Sequence, residues 1–138
     1  YISTSRPIRN AVKSAKHWQP IGFRSHHGIS LPLFSLRSKK SAGIGEFLDL
    51  IPLIQWCSKL GFDCLELLPL NDTGDDPSPF NPISSCALDP IYLSLHPLGD
   101  ISSFSDLNNQ PRLARKEVKS RKMKWLRDHF EKKFRETS

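Results

Sequence analysis

The sequence predicts an α/β protein built on a strand–helix–strand unit with parallel strands. Two short apolar runs, residues 28–34 and 64–69, have the length and composition of strands buried in a parallel sheet. Residues 48–60, between them, place apolar side chains three and four positions apart, which is typical of an amphipathic helix. Parallel strands need a crossover of about a dozen residues. The same unit builds α/β barrels and doubly wound sheets, so the pattern leaves both architectures open.

Proline, aspartate and glycine mark the boundaries of these elements. Pro32 has no N–H group to donate, so we expect it at an edge, an end or an irregularity of the first strand. Asp49 is predicted to cap the helix, and Pro52 fits the first turn, where backbone donors have no helical acceptor. Gly61 is expected just beyond the helix, where a positive φ suits only glycine. The expected apolar face of the helix comprises Phe47, Ile51, Ile54, Cys57 and Leu60.

The second half of the chain is predicted to hold a long loop, a short strand and a helix. Residues 71–85 are polar and carry three prolines, and loops of that length are more often functional than not. Residues 91–95 alternate in polarity and predict a third strand. From residue 111 onward the pattern is helical, with an apolar stripe that needs a partner to cover it. The stripe consists of Met123, Leu126, Phe130 and Phe134.

Charge is divided among three blocks of the chain. Residues 1–45 hold eight Lys or Arg and no acid, residues 46–110 hold one Lys and ten acids, and residues 111–138 hold eleven Lys or Arg and four acids. The net charge is +6. We interpret the basic ends as flanks of an acidic functional middle. A basic chain suits phosphate contacts, but no recognised nucleic-acid module or aromatic stacking pattern accompanies the charge, so we expect no nucleic-acid partner.

Composition argues against a membrane protein and against a metal site. No run approaches the roughly 18–20 apolar residues of a membrane-spanning helix, and the N-terminus lacks the apolar stretch of a secretory signal. The first sixteen residues, rich in Ser, Lys and Arg, fit a solvated leader better than a transit peptide. Cys57, Cys64 and Cys86 lack the spacing of zinc ligands and are expected to be buried free thiols. We therefore expect a cytoplasmic protein with no membrane contact and no metal.

Four motifs follow one another in the middle of the chain. They are Gly-Ile-Gly-Glu-Phe-x-Asp-Leu at 43–50, Leu-Leu-Pro-Leu-Asn-Asp-Thr at 67–73, Ser-Pro-Phe at 78–80 and Ala-Leu-Asp-Pro-Ile-Tyr-Leu at 87–93. In their order and close to their spacing, across roughly residues 28–98, they resemble the amylomaltase, or 4-α-glucanotransferase (disproportionating enzyme), family of the α-amylase clan. The Gly-Glu-Phe-x-Asp-Leu element is especially like the branch that includes bacterial and plant cytosolic members. Residues 1–20 and 111–138 carry no motif of the family.

The resemblance implies the N-terminal part of a (β/α)8 TIM barrel. Such a barrel needs about 250 residues, so a chain of 138 residues is expected to be a fragment. The expected organisation is a basic leader over 1–20, the barrel portion over 21–110, and over 111–138 a basic amphipathic helix that begins a helical insertion. The family carries out a retaining transfer of α-1,4-glucan segments between maltooligosaccharides, without a metal or organic cofactor, using two carboxylates about 5 Å apart.

No catalytic residue is assigned to this chain. In the family, the nucleophilic Asp, the acid/base Glu and a stabilising Asp lie on later barrel strands. Asp72, Asp75 and Asp76 crowd one loop, and we interpret them as a solvated acidic turn rather than a catalytic pair. The chain alone is therefore expected to be inactive.

The resemblance does place three sugar-binding residues here. Ser78 and Phe80 occupy the family's Ser-Pro-Tyr position, where the ring lies against a glucose unit; an aromatic face suits the apolar side of a sugar. Phe80 replaces the usual Tyr, which removes a phenolic hydroxyl. Asp89 stands where the family usually has Asn or His before Pro, which adds a negative charge. The alternatives are a core or loop-anchoring role for Phe80 and a backbone-fixing role for Asp89.

The sequence favours a glucanotransferase fragment and leaves two other functions open. One is a non-catalytic glucan-binding or decayed remnant protein, and the other is a basic interaction protein that uses residues 111–138. The sequence does not specify the oligomeric state, the acceptor preference or the length of the transferred segment.

Overall fold

The computed structural model describes residues 15–18, 20, 22 and 25–137. In chain order its helices and strands are α1 (Ala15–Trp18), β1 (Gly28–Leu31), α2 (Leu50–Lys59), β2 (Cys64–Leu67), α3 (Ser105–Asn108) and α4 (Arg115–Thr137). Short 3₁₀ turns occur at Leu33–Ser35, Phe47–Asp49, Pro90–Tyr92 and Ser102–Phe104. Most of the expected leader over residues 1–20 lies outside the described residues.

The predicted strand–helix–strand unit is confirmed. β1 and β2 are parallel, with Gly28 opposite Cys64 and Leu31 opposite Leu67, and α2 lies between them in the chain. β1 ends immediately before Pro32, as expected for a residue that cannot donate to the ladder. The prediction of buried strands is wrong, because both strands alternate between exposed and half-buried residues. In the described part of the chain the sheet has two strands, too few to enclose both faces.

Helix α2 ends as the sequence predicts. Gly61 adopts a φ of +82°, and its N–H donates to the Ser58 carbonyl at 3.1 Å. The Phe62 N–H reaches back to the Cys57 carbonyl at 3.0 Å. These two bonds satisfy carbonyls that the last helical turn would otherwise leave unpaired. Pro52 lies in the first turn, also as expected.

The start and the apolar face of α2 differ from expectation. Asp49 stands at the N-cap position but makes no side-chain cap bond, because its carboxylate accepts the Glu46 N–H at 2.8 Å instead. On the predicted apolar face, Cys57 is buried, whereas Ile51, Ile54 and Leu60 are each more than half exposed. The described residues thus leave most of this face uncovered.

The predicted third strand is wrong. Pro90–Tyr92 form a 3₁₀ turn, in which the Asp89 carboxylate accepts the Ile91 N–H at 3.1 Å. Proline supplies a fixed φ at the start of the turn, and the aspartate caps it, so local chemistry outweighs the alternation of residues 91–95. Ile91, Tyr92 and Leu95 are all buried, which is not the pattern of a strand with one solvent face.

The hydrophobic core lies among the connecting segments and the first half of α4. Its members come from the segment after β1, from the 3₁₀ turns, from α3 and from α4: Leu33, Ala42, Ile44, Ile91, Tyr92, Leu95, Phe104, Leu107 and Val118. The predicted stripe on α4 is covered only in part. Met123 and Leu126 are half-buried, whereas Phe130 and Phe134 are exposed and stack on each other with ring centroids 6.2 Å apart.

The cysteines do not share one environment. Cys57 is buried, as predicted, but Cys64 and Cys86 are exposed, so the expectation of three buried thiols is wrong for those two. Cys64 is exposed because it begins the lightly covered strand β2, and Cys86 lies in the long loop. Among the described helices, α4 included, none combines the length and apolarity that crossing a membrane requires.

Candidate functional site

The candidate site lies in the segments that follow the carboxyl ends of β1 and β2. Both strands are parallel, so Leu31 and Leu67 end at the same edge of the sheet. Ligand sites of α/β proteins form at this edge, from the loops after the strands. The motif at 43–50 lies in the segment that follows β1. The other three motifs lie at the end of β2 and in the segment that follows it.

In the structure the long loop predicted over residues 71–85 extends to residue 89, and it is held closed at its base. Asn71 and Leu88 form an antiparallel bridge. The Asp72 N–H donates to the Ala87 carbonyl at 3.0 Å, and the Asp89 N–H donates to the Leu70 carbonyl at 2.9 Å. A polar segment without helices or strands is therefore ordered by main-chain bonds at both of its ends.

Within this loop, Asp76 organises the Ser-Pro-Phe turn. Its carboxylate accepts the Ser78 N–H at 2.8 Å and the Asn81 side-chain amide at 3.1 Å. The Ser78 hydroxyl accepts the Phe80 N–H at 3.3 Å. The Phe80 side chain is 65 % exposed and does not belong to the core of the described residues. The turn thus presents an aromatic ring to solvent from a fixed backbone.

Asp89, the third predicted sugar-binding residue, is fully buried. Its carboxylate accepts the Ile91 N–H, and it receives the Arg115 guanidinium at 2.7 Å and the Lys119 ammonium at 3.5 Å. These contacts are all internal to the chain, and they fix the backbone before Pro90. Sugar binding by Asp89 stays a prediction.

Sequence reasoning did not single out Arg115 and Lys119, although both touch the loop. Arg115 also donates to the Thr73 hydroxyl at 3.0 Å. Lys119 donates to the Asp72 carboxylate at 3.0 Å and to the Gly74 carbonyl at 2.8 Å. The interpretation of the C-terminal basic block as a flank is corrected, because cations of α4 pair with acids of the middle block. The opposite charges of those blocks were the signal available in the sequence.

The Gly-Ile-Gly-Glu motif contains a second buried ion pair. Glu46 accepts the Lys122 ammonium at 2.5 Å and the Ala42 N–H at 3.2 Å. Lys122 also donates to the Ile91 and Leu93 carbonyls, both at 2.7 Å. Burial raises the pKa of Glu46 and lowers the pKa of Lys122, and in each case the partner's charge opposes that shift.

Asp49 completes the motif as a hydrogen-bond acceptor. Its two carboxylate oxygens receive the Ser38 hydroxyl at 2.6 Å and the Ser41 hydroxyl at 2.8 Å. Together with the bond from the Glu46 N–H, these contacts join the segment after β1 to the start of α2. The motif's aspartate therefore fixes the loop and the 3₁₀ turn that leads into α2, but accepts no bond from the N–H groups of α2 itself.

Asp72 and Asp76, two acids of the long loop, do not have the properties of a general acid. The Gly74 N–H and the Lys119 ammonium hold the pKa of Asp72 below its ordinary value. The Ser78 N–H and the Asn81 amide lower the pKa of Asp76. A general acid needs the opposite shift, toward the working pH. Among the described residues, moreover, no three His, Cys, Asp or Glu side chains are grouped so as to hold a metal ion.

The contacts of Asp72 predict a dependence of stability on pH. Because its folded pKa lies below the ordinary value of 3.8, the stabilisation is fully present above that value and is lost as the pH falls through the folded pKa. We expect Asp72→Asn to be less stable than the wild type near neutral pH and to lose less stability on acidification below about pH 4. Urea unfolding midpoints across this range provide the measurement. If the urea midpoints of the two proteins fell in parallel with pH, the contacts of Asp72 would not be the source of the pH dependence.

Comparisons with known proteins agree with the motifs. The sequence profile of the 4-alpha-glucanotransferase family matches residues 31–138. The chain is 47% identical over 139 aligned positions to a 4-alpha-glucanotransferase of Chlamydia pneumoniae, covering 89% of this chain and 26% of that protein. It is 43% identical to that of Chlamydia caviae, covering 91% and 26%.

A plant protein is also similar. The 4-alpha-glucanotransferase DPE2 of Oryza sativa subsp. japonica is 36% identical over 104 positions, covering 72% of this chain and 11% of that protein. The chain spans about a quarter of the length of the two Chlamydia relatives. The profile covers most of the chain, including helix α4, and the resemblance drawn from the motifs is confirmed. The chain therefore belongs to the 4-alpha-glucanotransferase family.

Proposed function

We propose that this chain forms part of the donor-sugar pocket of a retaining 4-α-glucanotransferase. The enzyme would transfer α-1,4-glucan segments between maltooligosaccharides. Membership of the family supports this chemistry. Retention requires two carboxylates about 5 Å apart. We propose that both lie outside these 138 residues. Asp72 and Asp76 do not suit the general acid, because both accept hydrogen bonds within the loop that lower their pKa values.

The observation that carries the proposal is the exposed ring of Phe80 on an ordered turn. A sugar ring has an apolar C–H side, which an aromatic face covers well. Phe80 is 65 % exposed, and the bonds around Asp76 fix the backbone beneath it. A binding surface that is ordered before the ligand arrives avoids the cost of ordering it on binding. In this arrangement Ser78 is proposed to shape the turn and to offer a hydroxyl near the sugar.

The proposed architecture is the first part of a (β/α)8 barrel. The parallel β1–α2–β2 unit is the repeat of such a barrel, and the exposed face of α2 fits a surface that further barrel elements would cover. We propose residues 21–110 as the barrel portion and 111–138 as the start of a helical insertion. The first half of α4 nevertheless packs on the core, through Val118.

Substitution of Phe80 tests the sugar-binding role in the complete protein that contains this chain. We expect Phe80→Ala to lower the rate of transfer between maltotriose molecules about tenfold, because full burial of a Phe side chain contributes about 1.5–3 kcal/mol and a sugar covers one face of the ring. Phe80→Tyr should retain the rate, since it keeps the ring. Release of glucose from maltotriose is the measurement.

Asp75→Ala is the matched control, since Asp75 is an exposed residue of the same loop. It is expected to change the rate less than twofold. Equal losses for Phe80→Ala and Asp75→Ala would remove the case for a sugar contact. The 138-residue chain alone is expected to give no transfer, and measurable transfer by it would contradict the proposed location of the catalytic acids.

A further inference from the structure

We propose that three cationic side chains of α4, here called the cationic seam, position the loop that presents Ser78 and Phe80. The seam consists of Arg115, Lys119 and Lys122. The inference rests on the proposed function for the sugar contact, but it concerns residues outside every motif of the sequence analysis. They would act as positioning residues, through the loop rather than on the substrate.

The spacing of the seam places its members on one helix face. Residues four and three positions apart lie one above the other on a helix, so Arg115, Lys119 and Lys122 form one row. All three are largely or fully buried, with side-chain exposures of 14 %, 18 % and 0 %. This is unlike a solvated basic face, in which ion pairs contribute little.

Arg115 and Lys119, the first two members of the seam, each contact both ends of the long loop. Arg115 contacts the Thr73 hydroxyl and the Asp89 carboxylate. Lys119 contacts the Asp72 carboxylate and lies 3.5 Å from that of Asp89. Each cation therefore bridges the first turn of the loop to its last residue.

Lys122, at the C-terminal end of the seam, joins the motif at 43–50 to the motif at 87–93. Lys122 pairs with Glu46 and donates to the carbonyls of Ile91 and Leu93. Through one helix, the motifs at 43–50, 67–73 and 87–93 are thus held to each other, although they are distant in the chain. In the chain, the Ser-Pro-Phe turn lies between the motifs at 67–73 and 87–93, which Arg115 and Lys119 hold in place.

A substitution of Lys119 should loosen the loop without destabilising the core, because Lys119 contacts the loop and neither it nor Asp72 belongs to the core cluster. Its partner Asp72 is 26 % exposed, and the Asp72 carbonyl accepts the Ile83 N–H at 2.8 Å on the far side of the loop. Loss of the Lys119 contact frees Asp72 without opening a cavity among the core residues. The effect should appear first in the amides of Gly74 and Ile83, which both bond to Asp72.

Hydrogen exchange of the complete protein that contains this chain, followed by mass spectrometry with residue-level fragmentation, tests the seam directly. We expect Lys119→Gln to speed exchange at Gly74 and Ile83 on the order of tenfold relative to core amides. It should weaken binding of maltoheptaose about threefold or more, as a preorganised surface becomes mobile. Lys119→Arg should restore both values. Arg121→Gln is the control, because Arg121 pairs with exposed Asp106 at 2.8 Å, and it should change neither.

A second variant removes the buried pair without leaving one charge alone. Arg115→Gln with Asp89→Asn should again speed exchange at Gly74 while core amides such as Val118 stay protected. Unchanged exchange at Gly74 and Ile83 in both variants would overturn the seam, and so would a uniform increase across the chain. Faster loop exchange in a protein whose wild type does not bind maltoheptaose would support the seam and overturn the proposed sugar site.

Discussion

Replacing Lys122 with methionine is expected to destabilise the chain by about 3–5 kcal/mol, because it leaves a buried charge without its partner. Lys122 and Glu46 are 0 % and 2 % exposed, so water cannot replace the lost contact. The Ile91 and Leu93 carbonyls lose a donor at the same time. Urea unfolding near neutral pH gives the change in free energy, provided that the slope with denaturant is unchanged.

Two further variants separate the loss of the pair from general disruption of α4. Glu46→Gln combined with Lys122→Met should recover much of the loss, because no unpaired buried charge remains. Lys124→Met, at an exposed position of the same helix, should change stability by about 0.5 kcal/mol or less. A loss from Lys122→Met no larger than that from Lys124→Met would show that the pair does not hold the motif in place.

Gly45→Ala is expected to cost about 3 kcal/mol or more, because the site has no room for a methyl group. A Cβ at Gly45 would lie 1.9 Å from the Leu33 carbonyl oxygen and 2.1 Å from that of Leu36. Both are main-chain atoms, so no flexible side chain can move aside. The variant must shift the backbone between the segment after β1 and the start of α2. Thermal and urea unfolding measure the cost.

Gly61→Ala is the matched control for this effect. Gly61 has a φ of +82°, but a Cβ there would meet nothing within 4 Å. Its substitution should cost only the conformational penalty of about 1–2 kcal/mol for a left-handed residue. If Gly45→Ala costs no more than Gly61→Ala, the close approach at Gly45 is not what the motif requires.

The parts of the fold that the sequence predicts well depend on short-range chemistry. Pro32 ends β1, and Gly61 ends α2, because each residue's own backbone limits what the chain can do there. The parallel pairing of the two strands follows from the length of the crossover. The motifs identify the family because they combine residue type and order, and the profile match agrees.

The parts that it predicts badly depend on contacts between distant residues. Asp49 does not cap α2, because Ser38, Ser41 and Glu46 compete for its carboxylate. The alternation at residues 91–95 suggests a strand, but Asp89 and Pro90 start a turn that buries consecutive side chains. An alternation of apolar and polar residues over only five positions is a weak signal for a strand, and the capped turn outweighs it here.

The cationic seam could not be found from periodicity, because its partners are remote in the chain. Lys122 and Glu46 are separated by 76 positions, and Arg115 and Thr73 by 42. The sequence does show a charge imbalance between the middle and C-terminal blocks, which indicates attraction between them without specifying pairs. The pairs depend on how α4 docks, and that is set by the core around Val118.

Protection from hydrogen exchange when maltoheptaose is added to the complete protein that contains this chain, measured by mass spectrometry, tests the sugar contact of Phe80 most directly. We expect saturable protection of peptides within residues 72–83, around the exposed Phe80, and its loss in Phe80→Ala. Buffer without maltoheptaose, and an equal concentration of cellohexaose, a β-linked glucan, control for non-specific effects. No protection of this loop, or protection confined to the surface around Phe130 and Phe134, would show that Phe80 does not contact the sugar.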